Sequence, residues 1–361
     1  MTMSKVSVFD EKEGKFQTLS ATLPELGAGE ILVKVLYTTI CRSDIYTYQG
    51  KRKEKNPAIL GHEIVGQIIK FASDAPEKDL RGFPLRVGSR ITWAIYASNP
   101  EDPRSKMGMP QKAADLFKYG HEAHEPGNSF HGGMAEHIIL RRNTPVIAIG
   151  SHIPDKSAAL INCSVATVSA AIRLAGNLRG KKVLVNGAGM LGFIACAMAH
   201  SMHAESVIAA DTNSDRLKKS MMFGASGVFK VPENTAITRE SYLVVHGSVD
   251  VVLDFSGIPS SIEAVMSLLD IGGTIVLVGS TFPQEDIRVN AELIVRKLLT
   301  IRGIHNYNAK DLIHAVAFME SNVEKFGFDQ LVENEFTLDE SNQAFEYAVQ
   351  HNPFRVGIKP L

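Results

Sequence analysis

The stretch Val183-Leu184-Val185-Asn186-Gly187-Ala188-Gly189-Met190-Leu191-Gly192-Phe193 sets the fold class of this chain. Its apolar opening suits a buried parallel strand. Glycines then stand where a tight turn, a closely approaching pyrophosphate and a helix packed on the sheet each exclude a Cβ. A helix through Phe193, Ala195, Ala199 and Met202 follows, with small residues on the side that must lie close to the sheet. A second apolar run, Val207-Ile208-Ala209-Ala210, ends in Asp211, about 20 residues downstream, where a carboxylate can meet a ribose. Strand, glycine turn, helix, strand and terminal acid together read as the first β-α-β unit of a dinucleotide-binding domain. A lone glycine pattern would be weak evidence, but this context favours the functional reading over a merely flexible loop.

The chain has 361 residues, more than one ordinary core accommodates, so two domains are expected. Hydrophobic residues make up 45%, charged residues 21%, and the formal net charge is -1. This balance gives no electrostatic basis for binding nucleic acid or a membrane surface. The first 15 residues are polar, without the apolar segment of a signal peptide, and no apolar run reads as a span, so a cytoplasmic protein is expected. Cys41, Cys163 and Cys196 are too few and too scattered for a disulfide framework.

Before the glycine turn the chain reads as β-rich, with strands expected over residues 31–37, 64–71, 90–96 and 133–140. Between residues 97 and 131 the periodicity fails and Pro, Gly, Lys and His accumulate, the mark of a long excursion. Beyond the glycine turn, strands are expected at residues 249–254, 274–278 and 299–304, then helices around Leu312 to Met319 and Asp339 to Val349.

Two short motifs carry the chemistry of the first half: Cys41-Arg42-Ser43-Asp44 and Gly61-His62-Glu63. Thiolate and imidazole are ligand types that zinc prefers, and a catalytic zinc keeps three protein ligands and one open position. Cys163 is the candidate third ligand. Singly, each has a bland explanation: a small core cysteine, or a hydrogen-bonded histidine. Cys196 keeps that explanation because it lies on the apolar helix after Gly192.

Taken together, Cys41-x-Ser43-Asp44, Gly61-His62-Glu63-x-x-Gly66, Cys163 with Thr167, the glycine fingerprint and the C-terminal return resemble the zinc-dependent medium-chain alcohol dehydrogenases over almost the whole chain. The resemblance implies an α/β fold in which a Rossmann doubly wound parallel sheet domain is inserted in a GroES-like β-barrel catalytic domain. The expected boundaries are 1–165 for the catalytic domain, 166–309 for the NAD-binding Rossmann domain and 310–361 for the return. It further implies Cys41, His62 and Cys163 as ligands of one catalytic zinc. Glu63 would be a near neighbour able to approach the metal, Asp44 would hold the ligand imidazole, and Ser43 would accept the alcohol proton. Arg42 and Arg355 match cationic contacts to the cofactor pyrophosphate, although Arg355 reads equally well as a surface charge. Thr167 matches a contact on the nicotinamide side, and Gly187, Gly189, Gly192, Asp211 and Arg216 the remainder of an NAD site.

Two departures from the family pattern bear on these expectations. Residues 97–131 lack the four cysteines that bind a second, structural zinc in many members, so no structural zinc is expected. His121, His124 and His131 are read as solvated loop residues. Tyr46 stands where some relatives place a proton-relaying histidine, and a phenol with a pKa near 10 is a poor base at neutral pH. The expected activity is reversible hydride transfer between an alcohol and NAD, with zinc as Lewis acid, in a homo-oligomer, dimer or tetramer.

Apolar segments at Trp93-Ala94-Ile95-Tyr96, Phe117 and Ser280-Thr281-Phe282 suggest a bulky uncharged secondary alcohol. The run from Pro110 to His137 is similar to a branch that includes phosphonate-catabolism-associated alcohol dehydrogenases and bacterial hydroxycamphor dehydrogenases. A cyclic terpenoid alcohol and a role in phosphonate metabolism are therefore both carried. Competing with them are a zinc-free NADPH quinone or enoyl reductase of the same fold, and a non-catalytic nucleotide-binding protein.

Overall fold

The computed structural model describes residues 2–125, 127–232 and 239–360. The chain divides into two compact units, one formed by Met1–Cys163 with Asn308–Leu361, the other by Ser164–Tyr307. Each junction falls two residues before the expected boundary.

In the second unit six strands pair in the order Gly227–Lys230, Ser206–Asp211, Lys182–Asn186, Val249–Asp254, Leu269–Leu277, Thr300–Gly303, all parallel. Numbered within the unit this is 3-2-1-4-5-6, the doubly wound order whose direction reverses beside the first strand. Val183, Leu184 and Val185 are fully buried, as are Ala209 and Ala210, so these strands are apolar on both faces because helices cover both. The glycine fingerprint lies where the strand Lys182–Asn186 meets the helix Met190–Ser201. A Cβ on Gly192 would stand 2.0 Å from the carbonyl oxygen of Gly187, so only glycine lets the helix pack this closely on its own entry turn.

In the first unit a curved sheet runs Val332–Thr337, Arg355–Lys359, Ile31–Ile40, Glu63–Phe71, Arg90–Trp93, Val146–Ala148, with His137–Leu140 added to the edge of Ile31–Ile40. Register shifts at Leu32/Val33 and Val35/Tyr37 bend the central pair, as extra residues in a ladder do. The unit is GroES-like and the second unit is a Rossmann-type parallel sheet, giving the α/β class implied by the sequence. A hairpin of Met3–Asp10 and Lys15–Thr22, absent from the sequence reading, packs Val6, Val8, Phe9 and Phe16 against Phe345 and Ile358.

The expected strand over residues 90–96 breaks after Trp93 and resumes as Tyr96–Ala97, which pairs with Phe117–Lys118. The strand expected from residue 133 begins only at His137. Among the described residues one contiguous helical stretch, 155–175, reaches spanning length, but 72% of its apolar window is buried inside the protein, so its apolar surface is already in use.

Gly192→Ala is expected to lower stability by about 1–3 kcal/mol through overpacking at the helix entry. Denaturant unfolding measures this, and an unchanged midpoint would contradict the contact described.

Candidate metal and cofactor sites

Cys41 ends the strand Ile31–Ile40 and caps the helix Arg42–Tyr48. Its backbone N–H donates to Asp44 Oδ2 at 2.9 Å, which pins the turn and leaves the Asp44 Oδ1 atom 3.2 Å from His62 Nδ1. That contact is bent, so neither atom has a well-aligned partner within the protein. Asp44 and His62 are both nearly fully buried. Gly61, at φ 89°, turns the chain into His62, a backbone conformation that glycine adopts without strain.

Cys163 lies in the π-helical turn Ile161–Val165, a local distortion that often marks functional sites. The adjacent Asn162 accepts the Ile64 N–H on its Oδ1 at 3.1 Å, tying this turn to the strand that follows His62. One ligand atom each from Cys41, His62 and Cys163 lie within 4.8 Å of one another. Hydrogen bonding from Cys163 holds the Cys41 thiol well below its usual range, and the charges of Arg355 and His62 reinforce this against burial. The same contact keeps the Cys163 proton in place, pushing that thiol up. Burial would lower the His62 pKa, but the Asp44 charge beside it raises it overall.

Two thiols and one imidazole around a single point, with a carboxylate behind the imidazole, form a donor set suited to a four-coordinate zinc with one open position. His62 turns Nδ1 to Asp44 and Nε2 toward Ser43, whose Oγ is 3.5 Å away.

Glu63 sits near the Cys41, His62 and Cys163 cluster and is linked to it by Arg355. It is fully buried, and Arg355 grips it with Nε on Oε2 at 2.6 Å and Nη2 on Oε1 at 2.9 Å. Thr39 Oγ1 also donates to Oε2 at 2.5 Å. Three donors thus occupy most of its roughly four acceptor sites. Arg355, expected at a pyrophosphate, is 6% exposed and directs Nε and Nη2 inward, with Nη2 3.6 Å from Cys41 Sγ. Its reading as a surface charge fails because the side chain is buried. Arg42 donates to Asn352 Oδ1 at the end of the helix Ser341–His351. Tyr46 is half-buried, with Lys51 Nζ 6.0 Å from its ring centroid.

In the second unit Asp211 accepts the Ala188 N–H on Oδ2 and the Asn213 N–H on Oδ1, both at 2.8 Å. The carboxylate therefore bridges the glycine loop and the turn into the helix Ser214–Met222. Arg216 is half-buried on the first turn of that helix, and Thr167 is half-buried in the helix Ala166–Ala175. Sequence reasoning missed a buried network: Asn186 Nδ2 lies 2.7, 3.1 and 2.9 Å from Asp254 Oδ1, Ser256 Oγ and Ser261 Oγ, and its two hydrogens are shared among them. A polar asparagine at the end of an apolar strand was the available signal. Cys196 is fully buried, and burial pushes its thiol up to about 12, in keeping with a core residue.

Two further expectations change. His121 and His131 are 7% and 2% exposed, so they are not solvated loop residues. His131 Nε2 lies 3.0 Å from the Ala123 carbonyl oxygen, and His121 Nδ1 lies 3.4 Å from Glu54 Oε1. Trp93 is fully buried in the sheet core with Val33, Ile68 and Ile91, while Ile95 and Tyr96 are 3% and 1% exposed. Trp93 is therefore core and not lining, which withdraws it from the support for a bulky apolar substrate.

The description "Alcohol dehydrogenase GroES-like domain" matches residues 27–151, and "Zinc-binding dehydrogenase" matches residues 191–321. The chain is similar to a sorbitol dehydrogenase of Halalkalibacterium halodurans, 28% identical over 352 residues covering 96% of each chain. An L-threonine 3-dehydrogenase of Aeromonas salmonicida is 26% identical over 329 residues, 90% of each. In fold it matches an alcohol dehydrogenase of Thermotoga maritima with a TM-score of 0.92 at 24% identity over the whole of both chains.

Removing one partner of the Glu63–Arg355 pair leaves an uncompensated buried charge. Arg355→Leu is therefore expected to cost about 3–5 kcal/mol, read by denaturant unfolding of the metal-free protein. A change below about 1 kcal/mol would mean that solvent reaches the pair. The chain is a dehydrogenase of the zinc-dependent medium-chain alcohol dehydrogenase family.

Proposed function

We propose that this dehydrogenase oxidises an alcohol with NAD, using one zinc held by Cys41, His62 and Cys163. The observation that carries the reading is the convergence of these three donors within 4.8 Å, with Asp44 buried behind His62. When bound, zinc supplies Lewis acidity at the alcohol oxygen. Asp44 fixes the imidazole tautomer, so that Nδ1 carries the proton and Nε2 is the ligand atom. Arg355 holds positive charge beside the Cys41 sulfur, and Glu63 keeps that guanidinium from drifting. Ser43, one residue from Arg42 and 3.5 Å from His62 Nε2, is the hydroxyl placed to accept the alcohol proton.

The choice of NAD over NADP rests on Asp211. A carboxylate at the end of the second strand accepts ribose hydroxyls and repels a 2′-phosphate. Like charges a few ångströms apart cost on the order of 1–4 kcal/mol, depending on exposure. The two backbone N–H groups on Asp211 hold it in position for this, and its remaining lone pairs are free to accept from hydroxyls. Arg216, on the next turn, fits a cation beside the adenosine ribose. A homo-oligomer fits the open edge of the second unit's sheet. The edge strand Thr300–Gly303 carries exposed Ile301, and Val295 and Leu298 beside it are each 71% exposed, an apolar surface that single chains seldom leave uncovered.

Ser43→Ala should lower kcat by at least about 100-fold, since positioned proton transfer contributes on that order, while zinc content measured by metal analysis stays at wild-type level. Normal turnover would remove Ser43 from the proton path. Asp211→Gly should weaken NAD and improve NADP, moving the ratio of their kcat/KM values by at least about tenfold, equivalent to about 1.4 kcal/mol. Should the wild-type protein already prefer NADP, the role given to Asp211 is wrong.

A further inference from the structure

The segment after the helix Arg42–Tyr48 contains Lys51, Arg52, Lys53 and Lys55 around the single acid Glu54. It folds back on that helix because the Lys51 and Arg52 N–H groups both donate to the Tyr46 carbonyl, at 2.9 and 3.1 Å. Arg52 Nε lies 2.6 Å from Glu54 Oε1, and His121 Nδ1 lies 3.4 Å from the same oxygen. The His121 ring is in turn 5.0 Å from the His62 ring, centroid to centroid. A continuous run of contacts thus leads from a metal ligand through His121 and Glu54 to the Arg52 guanidinium.

Three features set this cluster apart from a surface ion pair. His121 is more than nine-tenths buried, and its Nδ1 has no well-aligned hydrogen-bond partner. Only Nε of Arg52 meets a protein carboxylate among the described residues, and the side chain is 26% exposed, which leaves its planar Nη pair open. Other cations also stand close to Arg52. Burial lowers the pKa of Lys118, Arg52 and Lys112 lower it further, and Glu54 alone opposes them. The open guanidinium fork of Arg52 is the group best matched to a carboxylate or phosphate.

We propose that Arg52, oriented by Glu54 and backed by Lys118, determines specificity by binding an anionic substituent, carboxylate or phosphate, on the alcohol substrate. This rests on the reading above that His62 is a ligand of the catalytic zinc. His121 links the two, its ring 5.0 Å from that of His62 and its Nδ1 3.4 Å from Glu54 Oε1. The substrate class is then a hydroxy acid or a phosphorylated alcohol rather than a bulky apolar one.

The test is calorimetric binding to the zinc-loaded full chain saturated with NADH, which fills the cofactor site and leaves only alcohol binding to be read. Lactate and glycerol phosphate are compared with neutral propanediol and glycerol. At least one anionic alcohol is expected to bind about tenfold more tightly than its neutral counterpart, the equivalent of one good charge-assisted contact. Arg52→Gln should bring the pair within about threefold, and Arg52→Lys should recover part of the difference because charge returns without the fork. No preference in the wild-type protein, or a preference that survives Arg52→Gln, overturns the proposal. Hydride transfer from the same alcohols to NAD, followed by NADH fluorescence, is read separately. Tight anion binding without turnover would fail the proposed NAD-linked oxidation and leave the subsite standing, whereas turnover with no charge preference would fail the subsite alone.

Discussion

The buried pair between Glu63 and Arg355 is the contact on which the catalytic unit depends. It joins residues 292 positions apart, linking the last strand, Arg355–Lys359, across Ile31–Ile40 to the start of the strand that follows His62. The same register sets Val356 opposite Ile40 and Thr39 opposite Glu63, so both partners arrive beside Cys41. Two ions removed from water are costly unless their hydrogen bonds are filled. Here Thr39, two guanidinium nitrogens and the Phe354 carbonyl fill them. Loss of the C-terminal return would therefore disturb the metal cluster as well as the sheet.

The charge arrangement around the cluster follows from that pair. Arg355 faces the Cys41 sulfur and favours its thiolate, while Asp44 favours a proton on the far nitrogen of His62. Positive charge thus stands behind one ligand and negative charge behind another. Both dispositions prepare the donors for a dication: a sulfur already disposed to lose its proton, and an imidazole held in one tautomer. The Asp211 carboxylate plays a comparable organising part in the second unit, where it closes the glycine loop onto the next helix.

The Rossmann unit was the most legible part of the sequence. Its central strands, Lys182–Asn186 and Ser206–Asp211, are covered on both faces and appear as apolar runs, and Gly192 has a steric reason for being glycine. The three metal-ligating candidates were legible as residue types, and the geometry places them together. The positions of Glu63 and Arg355 were less legible, because the pairing depends on a strand register between distant segments that no local pattern encodes. Trp93 was misread for a related reason: an apolar run signals burial, but whether it faces the core or a pocket is decided by the break at Ala94 and Ile95. His121 and His131 were missed because a loop without periodicity gives no sign that it folds back and buries its histidines. The N-terminal hairpin escaped notice because its second strand, Lys15–Thr22, is mostly polar on its open face.

The central claim is that Cys41, His62 and Cys163 together hold one zinc with an open fourth position. X-ray absorption at the zinc edge of the loaded protein measures this directly. The account predicts two sulfur ligands at about 2.3 Å and one imidazole nitrogen at about 2.0–2.1 Å, with a light exchangeable atom completing the shell. A shell of one sulfur with a protein carboxylate would contradict it, because Glu63 would then have left Arg355 to take the place given to Cys163.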